Sequence, residues 1–414
     1  MRRLVQALAM LGMVAMLPAA GCSVGPTVLA TNRAGYNVAA QRSASEQLLL
    51  NMVRLKYREP MLFLQIGSIT SHFNYSADAA VTGTFPEGAA DTYGAGLGAS
   101  VSEQPTLSYT PLEGKAFANR ILTETDMGTF TLLVRGGWSI DILMRLMVER
   151  LGPMRNYPAA SEAADPPTPY ERFLELTRLW RACQRAGNLQ FLRLSGDPVT
   201  VADDVPAEEV TLASLIAAGE AGYSLQPRED GRYRLQSPGT PSLVVAVAYP
   251  DAETADRADA LLGVQPARTV RDDGTVRELL RLTASHDYYA REPDAREPNE
   301  VPIQLRSYSD LLYYVAQGIE VPAEHEAAGF TKVYRDVRDR PVDRRRFTAD
   351  LLDVRCSALP PAGAFVAVPY RGRWFYIADS DTASKDAFTL LDIIFALQSD
   401  EKQAGPVLTL PVSG

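Results

Sequence analysis

The sequence contains few of the residues that most often build catalytic and metal centres. Its 414 residues include three cysteines and three histidines, too few for a disulfide-rich scaffold or for repeated Cys and His metal ligands. The histidines, His72, His286 and His325, have no second histidine or cysteine at ligand spacing. We therefore predict no metal site and no cofactor, and favour a structural or solvated role for each histidine.

Basic residues are not in excess either. Lys and Arg number 41 against 50 Asp and Glu, which gives a formal net charge of -9. Because a nucleic-acid surface needs a basic face to neutralise phosphates, no nucleic acid is expected among the partners. The arginine-rich run at 335–346 alternates with aspartates, a pattern typical of a solvated loop.

Long apolar runs are scarce, and the one that stands out lies at the start of the chain. Two arginines precede the stretch Leu4 to Leu17, too short to span a bilayer, and Ala19-Ala20-Gly21-Cys22 follows. This order predicts a lipoprotein signal peptide at residues 1–21, cleaved before Cys22, which would then carry acyl chains such as palmitate. An ordinary secretory signal is the alternative, because Ala19 replaces the usual leucine.

The predicted localisation is the outer membrane. Ser23 follows Cys22 in place of an aspartate, which resembles the sorting pattern of outer-membrane lipoproteins. We therefore expect a lipid-anchored protein whose mature domain faces the periplasm. Its expected partners are the membrane, reached through the anchor, and an unknown protein, which a second copy of the chain would also satisfy.

An α+β fold is predicted for the mature chain, because helical and strand patterns interleave without the regular unit of a doubly wound sheet. The predicted division is a lipidated N-terminus and tether at 22–42, a helix and Gly-rich β-hairpin domain at 43–157, a linker at 158–169, and a mixed α+β domain at 170–414. The linker is rich in Ala, Pro, Asp and Glu. A sub-boundary near 291–302 is an alternative within the last domain.

The first strong helix is expected to be buried. Ser43 and Glu46 form a capping-box pattern, and the apolar residues from Leu48 to Leu55 cover more than half of the helix circumference. Such a helix is usually covered on more than one side. Asn51 and Arg54 lie on its narrow polar edge.

The same helix carries a sequence signature. Ser45 to Tyr57 reads SEQLLLNMVRLKY, and Pro60 and Phe63-Leu64 follow it. Further segments are Pro105 to Leu112, Gly137 to Asp141, Trp374 to Ile377 and Pro406 to Pro411 (PVLTLP). Together they resemble a family of uncharacterised bacterial lipoproteins over nearly the whole mature chain. The resemblance implies the localisation and a single-family architecture, and supplies no activity.

A long antiparallel hairpin is predicted between Leu62 and Tyr109. Apolar and aromatic residues occupy alternate positions opposite polar residues or glycines, which is the period of a strand, and Pro86-Glu87-Gly88 begins the turn. One interpretation is a globular antiparallel sheet with one solvent-exposed face. The alternative is a hairpin that enters the membrane or binds a partner. The positions that would then face lipid or partner are Phe73, Tyr75, Val81, Phe85, Tyr93, Leu97 and Val101.

Other local patterns predict elements whose outcome matters for the fold. A capping box is predicted at Thr168 and Glu171. The remaining predictions are a strand from Thr129 to Val134, a helix from Ser139 to Leu151, separate strands at Tyr233–Gln236 and Leu243–Ala248, a hairpin turning at Arg371-Gly372, and a last strand from Val407 to Pro411.

Two motifs suggest chemistry but have simpler readings. Gly137-Trp138-Ser139-Ile140-Asp141 resembles a nucleophile elbow, yet Asp141 replaces the glycine that the strained turn requires, so we predict Ser139 as a helix N-cap. Asp379, Asp381 and Asp386 form an acidic cluster without the mid-loop glycine or terminal glutamate of a calcium loop. We predict that they cap the helix that begins near Ser384.

The remaining cysteines allow two interpretations. Cys183 and Cys356 would form one disulfide in an oxidising periplasm. Both also follow apolar patterns, Cys183 with Phe173, Leu176 and Trp180, and Cys356 with Leu352 and Val354. We favour two buried thiols.

Three function classes remain from the sequence. The favoured one is a non-catalytic outer-membrane lipoprotein that is structural, assists assembly or binds a partner in the periplasm. The second is a subunit of an oligomeric β-pore or secretion complex that donates the hairpin. The third is a carboxylate-based hydrolase. An enzyme is least favoured, because no motif assembles a nucleophile, a base and an orienting group.

Overall fold

The computed structural model describes residues 24–84, 92–157, 168–335, 338–348 and 350–398. The protein is α+β, as predicted. Within these ranges it forms two compact units: residues of 24–51 and 60–114 belong to the first, and residues of 52–59 and 115–398 to the second. No helix in the described ranges combines the length and apolar character needed to cross a membrane.

The first unit contains one long helix and two paired strands. Helix α1 (Val24–Lys56) runs through it and ends in the second unit, and strands β1 (Phe63–Thr84) and β2 (Thr92–Leu112) pair antiparallel. The tether predicted at 22–42 is thus wrong from Val24 onward. This segment has no apolar periodicity, but its Ala, Gln and Arg residues have high intrinsic helix propensity.

Two side-chain amides hold the start of β1 against α1. Gln47 accepts a hydrogen bond from the backbone N–H of Leu64 (2.7 Å) and donates one to its carbonyl (3.1 Å). Asn51, one helical turn on, does the same with Leu62, at 3.0 and 2.8 Å. Asn51 is fully buried, so this residue of the predicted polar edge is not exposed to solvent, whereas Arg54 is half-buried. Each side-chain amide thus supplies the hydrogen-bond donor and acceptor that the backbone of a neighbouring strand would otherwise provide to Leu62 and Leu64.

The second unit is built on a mixed sheet. Its strands are β3 (Val148–Leu151), β4 (Met154–Arg155), β5 (Leu189–Val205), β6 (Ser224–Pro227), β7 (Tyr233–Tyr249), β8 (Arg268–Val270), β9 (Val276–Ala284) and β10 (Glu300–Leu305). Their order is β4-β3-β10-β9-β7-β5, with β6 paired to β7 and β8 to β9. Only β9 and β10 among these pairs are parallel.

Helices are interspersed with these strands along the chain, and several of them supply buried side chains to the core of the second unit. They are α2 (Gly114–Leu122), α3 (Met127–Arg135), α4 (Ile140–Met147), α5 (Pro169–Arg185), α6 (Leu212–Glu220), α7 (Ala252–Leu262), α8 (Ser285–Ala290), α9 (Tyr308–Val315), α10 (Ala323–Ala327) and α11 (Thr382–Gln398). Short 3₁₀ turns lie at Ala207–Glu209, Pro293–Ala295, Ala316–Gly318 and Arg344–Phe347. The stripe Phe173, Leu176 and Trp180 on α5 is fully buried, and the Trp180 indole donates to the Tyr249 hydroxyl (3.3 Å).

A second, smaller sheet lies near the C-terminal end of the same unit. It consists of β11 (Arg355–Ser357), β12 (Ala364–Tyr370) and β13 (Arg373–Ala378) in the order β11-β13-β12. The predicted hairpin is confirmed: Arg371 and Gly372 connect β12 to β13, both at positive φ (46° and 75°). Positive φ at both central residues is the geometry of a type I′ turn, whose twist matches the strands.

A buried arginine closes the C-terminal end of α4. The guanidinium of Arg306 donates to the carbonyls of Arg145 (3.1 Å), Leu146 (2.8 Å), Val148 (3.0 Å) and Asn156 (2.9 Å). The Tyr314 ring lies 4.0 Å from its Cζ atom. The carbonyls of Arg145 and Leu146 are among the groups that a helix leaves unpaired at its end, and the negative end of the helix dipole favours a cation there.

Three predicted elements are wrong, each because a tertiary or capping contact decided the outcome. Thr129 to Val134 lies in helix α3 and not in a strand, since the Asp126 side chain caps that helix at the Thr129 N–H (3.0 Å). The helix predicted from Ser139 to Leu151 stops at Met147, where β3 begins. The two strands predicted within 233–248 form the single strand β7, which pairs with β5 through several register shifts.

The structure also divides the chain at other places than predicted. Residues 115–157 belong to the second unit, because β3 pairs with β10 and α4 packs on α5. Part of the predicted linker, 158–167, lies outside the described residues, and α5 begins right after it. The predicted sub-boundary at 291–302 is wrong, since β10 lies inside the mixed sheet. The strand predicted from Val407 to Pro411 also lies outside the described residues.

Candidate functional site

The predicted lipidation site and part of the predicted hairpin surface lie outside the described residues. These are Cys22, Phe85 and the predicted turn at Pro86-Glu87-Gly88. In the strands themselves, Tyr75 pairs with Val101, Leu97 with Ala79, and Tyr93 with Gly83. Phe73 is opposite Glu103 and Val81 opposite Ala95. From Ser68 onward, odd-numbered positions of β1 therefore pair with odd-numbered positions of β2.

The two remaining cysteines are both free. Cys183 lies buried in α5, and Cys356 is half-buried in β11. Burial raises the pKa of Cys183, and burial together with the nearby Glu320 raises the pKa of Cys356 to about 11. Because the thiolate is the reactive form, neither cysteine is prepared for nucleophilic chemistry, and the disulfide that the sequence left open is not formed in this structure.

His325 occupies a buried aromatic cluster, and His286 lies at the surface. The Tyr57 hydroxyl is 2.6 Å from His325 Nδ1, and both side chains are buried. The Tyr57 ring also makes edge contacts with Tyr370 and Phe375. His325 is thus a core histidine that satisfies a buried hydroxyl, whereas His286 lies 3.1 Å from the carboxylate of its neighbour Asp287.

The motif around Ser139 lines an open cleft of about 300 Å³. Ser139 precedes α4 in the N-cap position, but its hydroxyl donates to Asp141 and does not cap the helix. The first backbone N–H of α4 is instead bonded by Gln184 (2.9 Å). Asp141 lies 3.5 Å from Arg181, so the carboxylate next to the serine is partly neutralised. This arrangement orients the start of α4, and we assign it no catalytic role.

Of the three aspartates predicted to cap the helix near Ser384, Asp381 does so, whereas Asp379 binds a lysine side chain and Asp386 lies within α11. Asp381 accepts hydrogen bonds from the Ser384 backbone (3.1 Å) and hydroxyl (2.7 Å), and Asp379 forms an ion pair with Lys385 (2.7 Å). Across the described residues, no group of three or more His, Cys, Asp or Glu side chains is arranged to hold a metal ion.

A pair of buried carboxyl groups bears on the hydrolase alternative. Asp259 on α7 and Glu278 on β9 are both buried, and Arg268 on β8 lies 2.6 Å from the first and 2.8 Å from the second. Burial and the neighbouring Asp259 raise the pKa of Glu278 to about 7. Catalytic carboxyl pairs flank a bound substrate. This pair is instead enclosed and shares Arg268 as its cation, which fits an internal ion cluster that joins α7 to β8 and β9.

An exposed apolar surface lies on helix α6. This helix is near the end of the mixed sheet where β5 and β6 both pair with the first part of β7. Helix α6 begins with a capping box between Thr211 and Ser214 and has no buried residue. Leu212 is 75% exposed and Ile216 54%, and Leu215 lies beside them at helical spacing. We call Leu212, Leu215 and Ile216 the α6 apolar face.

Further exposed apolar side chains come from the strands at the same end of the sheet. Val199 and Val201 on β5 and Tyr223, just before β6, are exposed. Single exposed apolar residues are normal in a soluble protein, whereas several of them gathered in one region mark an interaction site. This region was not predicted, although the i, i+3, i+4 spacing of Leu212, Leu215 and Ile216 can be read from the sequence.

Comparison of the chain with protein-family models, curated proteins and solved structures found no match in any of the three.

Proposed function

We propose that the protein is a non-catalytic lipoprotein, anchored to the outer membrane through Cys22, that binds a protein partner through the α6 apolar face. The observation that carries the partner-binding role is the exposure of Leu212, Leu215 and Ile216 on a helix without a buried residue. The lipid anchor is inferred from the sequence before Cys22, and the outer-membrane localisation from Ser23.

A protein partner suits this surface better than an anionic membrane. Acidic residues precede α6 at Asp203, Asp204, Glu208 and Glu209, and the helix itself contains no basic residue. Helices that lie on membranes usually combine their apolar face with Lys and Arg, which attract anionic lipids. An apolar centre with a charged rim is the usual composition of a protein–protein interface.

The partner-binding role predicts a position-dependent cross-link. A photoreactive amino acid in place of Ile216 should cross-link a partner in intact cells, and Leu212→Gln should reduce the yield about tenfold, as expected when an apolar contact in an interface is lost. The matched control is Leu132, which is 58% exposed on α3. Equal cross-linking from positions 132 and 216 would contradict the proposal. A product of twice the monomer mass would identify the partner as a second copy.

Lipidation predicts a second, separate outcome. Cys22→Ser should convert the protein into a periplasmic form that leaves the membrane fraction and takes up no labelled palmitate, because at least two acyl chains are needed for stable anchoring. Fractionation and metabolic labelling measure both effects. A variant that stays in the membrane fraction and is still labelled would disprove the anchor without affecting the α6 proposal.

The length of β1 and β2 favours one second candidate, a subunit of an oligomeric pore. The two strands contain 22 and 21 residues, far more than the five or six of an average strand. At roughly 3.3 Å per residue each is about 70 Å long, about twice the thickness of a bilayer core. Because two strands cannot close a pore, several copies would have to contribute one pair each. Particle size in mild detergent distinguishes a ring from a monomer.

A further inference from the structure

Three cations of the second unit contact Tyr334 through its ring or hydroxyl, and a fourth, Lys56, interacts electrostatically with one of them, Arg344. We call Lys56, Arg58, Lys332 and Arg344 the cation cluster. Lys56 and Arg58 come from the end of α1, Lys332 from the loop after α10, and Arg344 from the 3₁₀ turn at Arg344–Phe347. Within the described ranges, none of the four forms an ion pair with a carboxylate, which is unusual in a chain with more acidic than basic residues.

Arg344 is held by aromatic rings and leaves its donors open. Its Cζ atom lies 3.3 Å from the centre of the Tyr334 ring and 4.8 Å from that of Tyr157. Contact with a ring covers a face of the guanidinium plane, while the N–H groups point outward along its edge. In the described part of the chain, this guanidinium makes no hydrogen bond. The two rings therefore fix the orientation of the Arg344 guanidinium, and its N–H groups remain available to donate to a ligand.

Tyr334 organises the other cations of the cluster. Arg58 donates to the Tyr334 hydroxyl at 3.1 Å, and that hydroxyl lies 2.7 Å from the hydroxyl of Tyr313. The Lys332 ammonium is 5.1 Å from the Tyr334 ring centre, within cation–π distance. One ring thus positions two guanidinium groups and an ammonium group close together.

Holding these like charges together is unfavourable. Burial lowers the pKa of Lys56 to about 8, and Arg345 and Arg344 act in the same direction, against Asp343 and Glu326. Burial and Arg58 lower the pKa of Arg344 to about 10. Lys56 donates to the Gln317 carbonyl at 3.2 Å, which does not neutralise its charge. A bound anion would relieve this repulsion.

We propose that the cation cluster binds a phosphate group. Guanidinium groups match the oxygens of a phosphate with paired hydrogen bonds, and ammonium groups supply compact charge beside them. The phosphate would come from the headgroup of an anionic phospholipid or from a soluble phosphorylated molecule, which share this chemistry. The proposal does not depend on the α6 apolar face, since none of its residues belongs to the cluster.

The test measures the affinity for inorganic phosphate by calorimetry at constant ionic strength, using the full mature chain with Cys22→Ser. We expect the affinity to fall about tenfold or more in Arg344→Gln and in Arg58→Gln, because each removes charge-assisted hydrogen bonds. The matched control is Arg271→Gln, which removes an exposed arginine at the turn between β8 and β9 and should leave the affinity unchanged. Equal affinities in all variants, or no phosphate binding by the unmodified cluster, would overturn the proposal.

A second measurement separates a binding role from a structural one. If Arg344 serves only as a support for Tyr334, Arg344→Gln should lower the melting temperature without phosphate. If it is held for a ligand, the same variant should melt at the same temperature or higher, because repulsion within the cluster is relieved. A large loss of melting temperature in the absence of phosphate would count against the proposal.

Vesicle flotation identifies the source of the phosphate. Flotation with phosphatidylglycerol vesicles but not with phosphatidylcholine vesicles, lost in Arg344→Gln, would assign the cluster to anionic lipid headgroups. Phosphate binding by calorimetry without flotation would assign it to a soluble phosphorylated ligand. Both assignments require that the cluster binds inorganic phosphate in the calorimetric test, and flotation without that binding would leave the proposal overturned.

Discussion

Arg306→Leu should lower the free energy of unfolding by about 2–5 kcal/mol, because it breaks a buried hydrogen-bond network and leaves carbonyl groups without a donor. The leucine would fill part of the space but would remove the donor shared by the carbonyls of Arg145, Leu146, Val148 and Asn156. The carbonyls of Arg145 and Val148 would keep the Asn156 side-chain amide as a donor, at 2.7 Å each, so the loss falls mainly on those of Leu146 and Asn156. Each buried group that loses its partner costs about 1–3 kcal/mol. Chemical denaturation followed by tryptophan fluorescence measures the change, because Trp180 is buried in the same unit.

The control separates the contacts of Arg306 from the loss of any arginine. Arg172 is exposed on α5, and Arg172→Leu should change stability by less than about 0.5 kcal/mol. Arg306→Lys should also be destabilising, because a single ammonium cannot reach four carbonyls spread over a helix end, strand β3 and Asn156. If Arg306→Leu unfolds at the same denaturant concentration as the unmodified protein, the buried network has no stabilising role.

Features that depend on neighbouring residues could be predicted from the sequence. Thr168 and Glu171 form the predicted capping box, with both reciprocal hydrogen bonds present. The turn at Arg371-Gly372 is also found where predicted. In both cases the deciding contacts span only a few residues, so a short window of sequence contains all of their information.

Features that depend on distant contacts could not be predicted. Arg306 is separated by 150 or more residues from the carbonyls that it binds, and nothing in its immediate sequence distinguishes it from a surface arginine. The cation cluster likewise joins the end of α1 to residues near 334 and 344. Pairing of β3 with β10 decides that 115–157 belong to the second unit, whereas local composition placed a boundary at 158–169.

The exposure of the α6 apolar face could not be predicted from the sequence for a different reason. Its helical period was readable, but periodicity indicates which residues share a face and not whether that face is covered. The usual expectation is that an apolar face is buried against the core. Helix α6 departs from it, and only the structure shows that Leu212 and Ile216 remain exposed.

Val53→Asp should cost several kcal/mol, because it places a carboxylate in a fully buried apolar site. Val53 lies in the part of α1 that belongs to the second unit, one turn before Tyr57, whose hydroxyl contacts His325. The variant should therefore disturb the aromatic cluster around Tyr57 as well as the helix. Thermal unfolding of the soluble Cys22→Ser form measures the loss.

The same helix provides the matched control for this prediction. Val38 is 65% exposed on α1, so Val38→Asp introduces the identical side chain into water and should change stability by less than about 0.5 kcal/mol. A large difference between the two variants would show that the end of α1 is a core element, as its apolar residues predict. Equal melting temperatures would mean that Val53 is accessible in solution, and the end of α1 would then become a second surface for a partner.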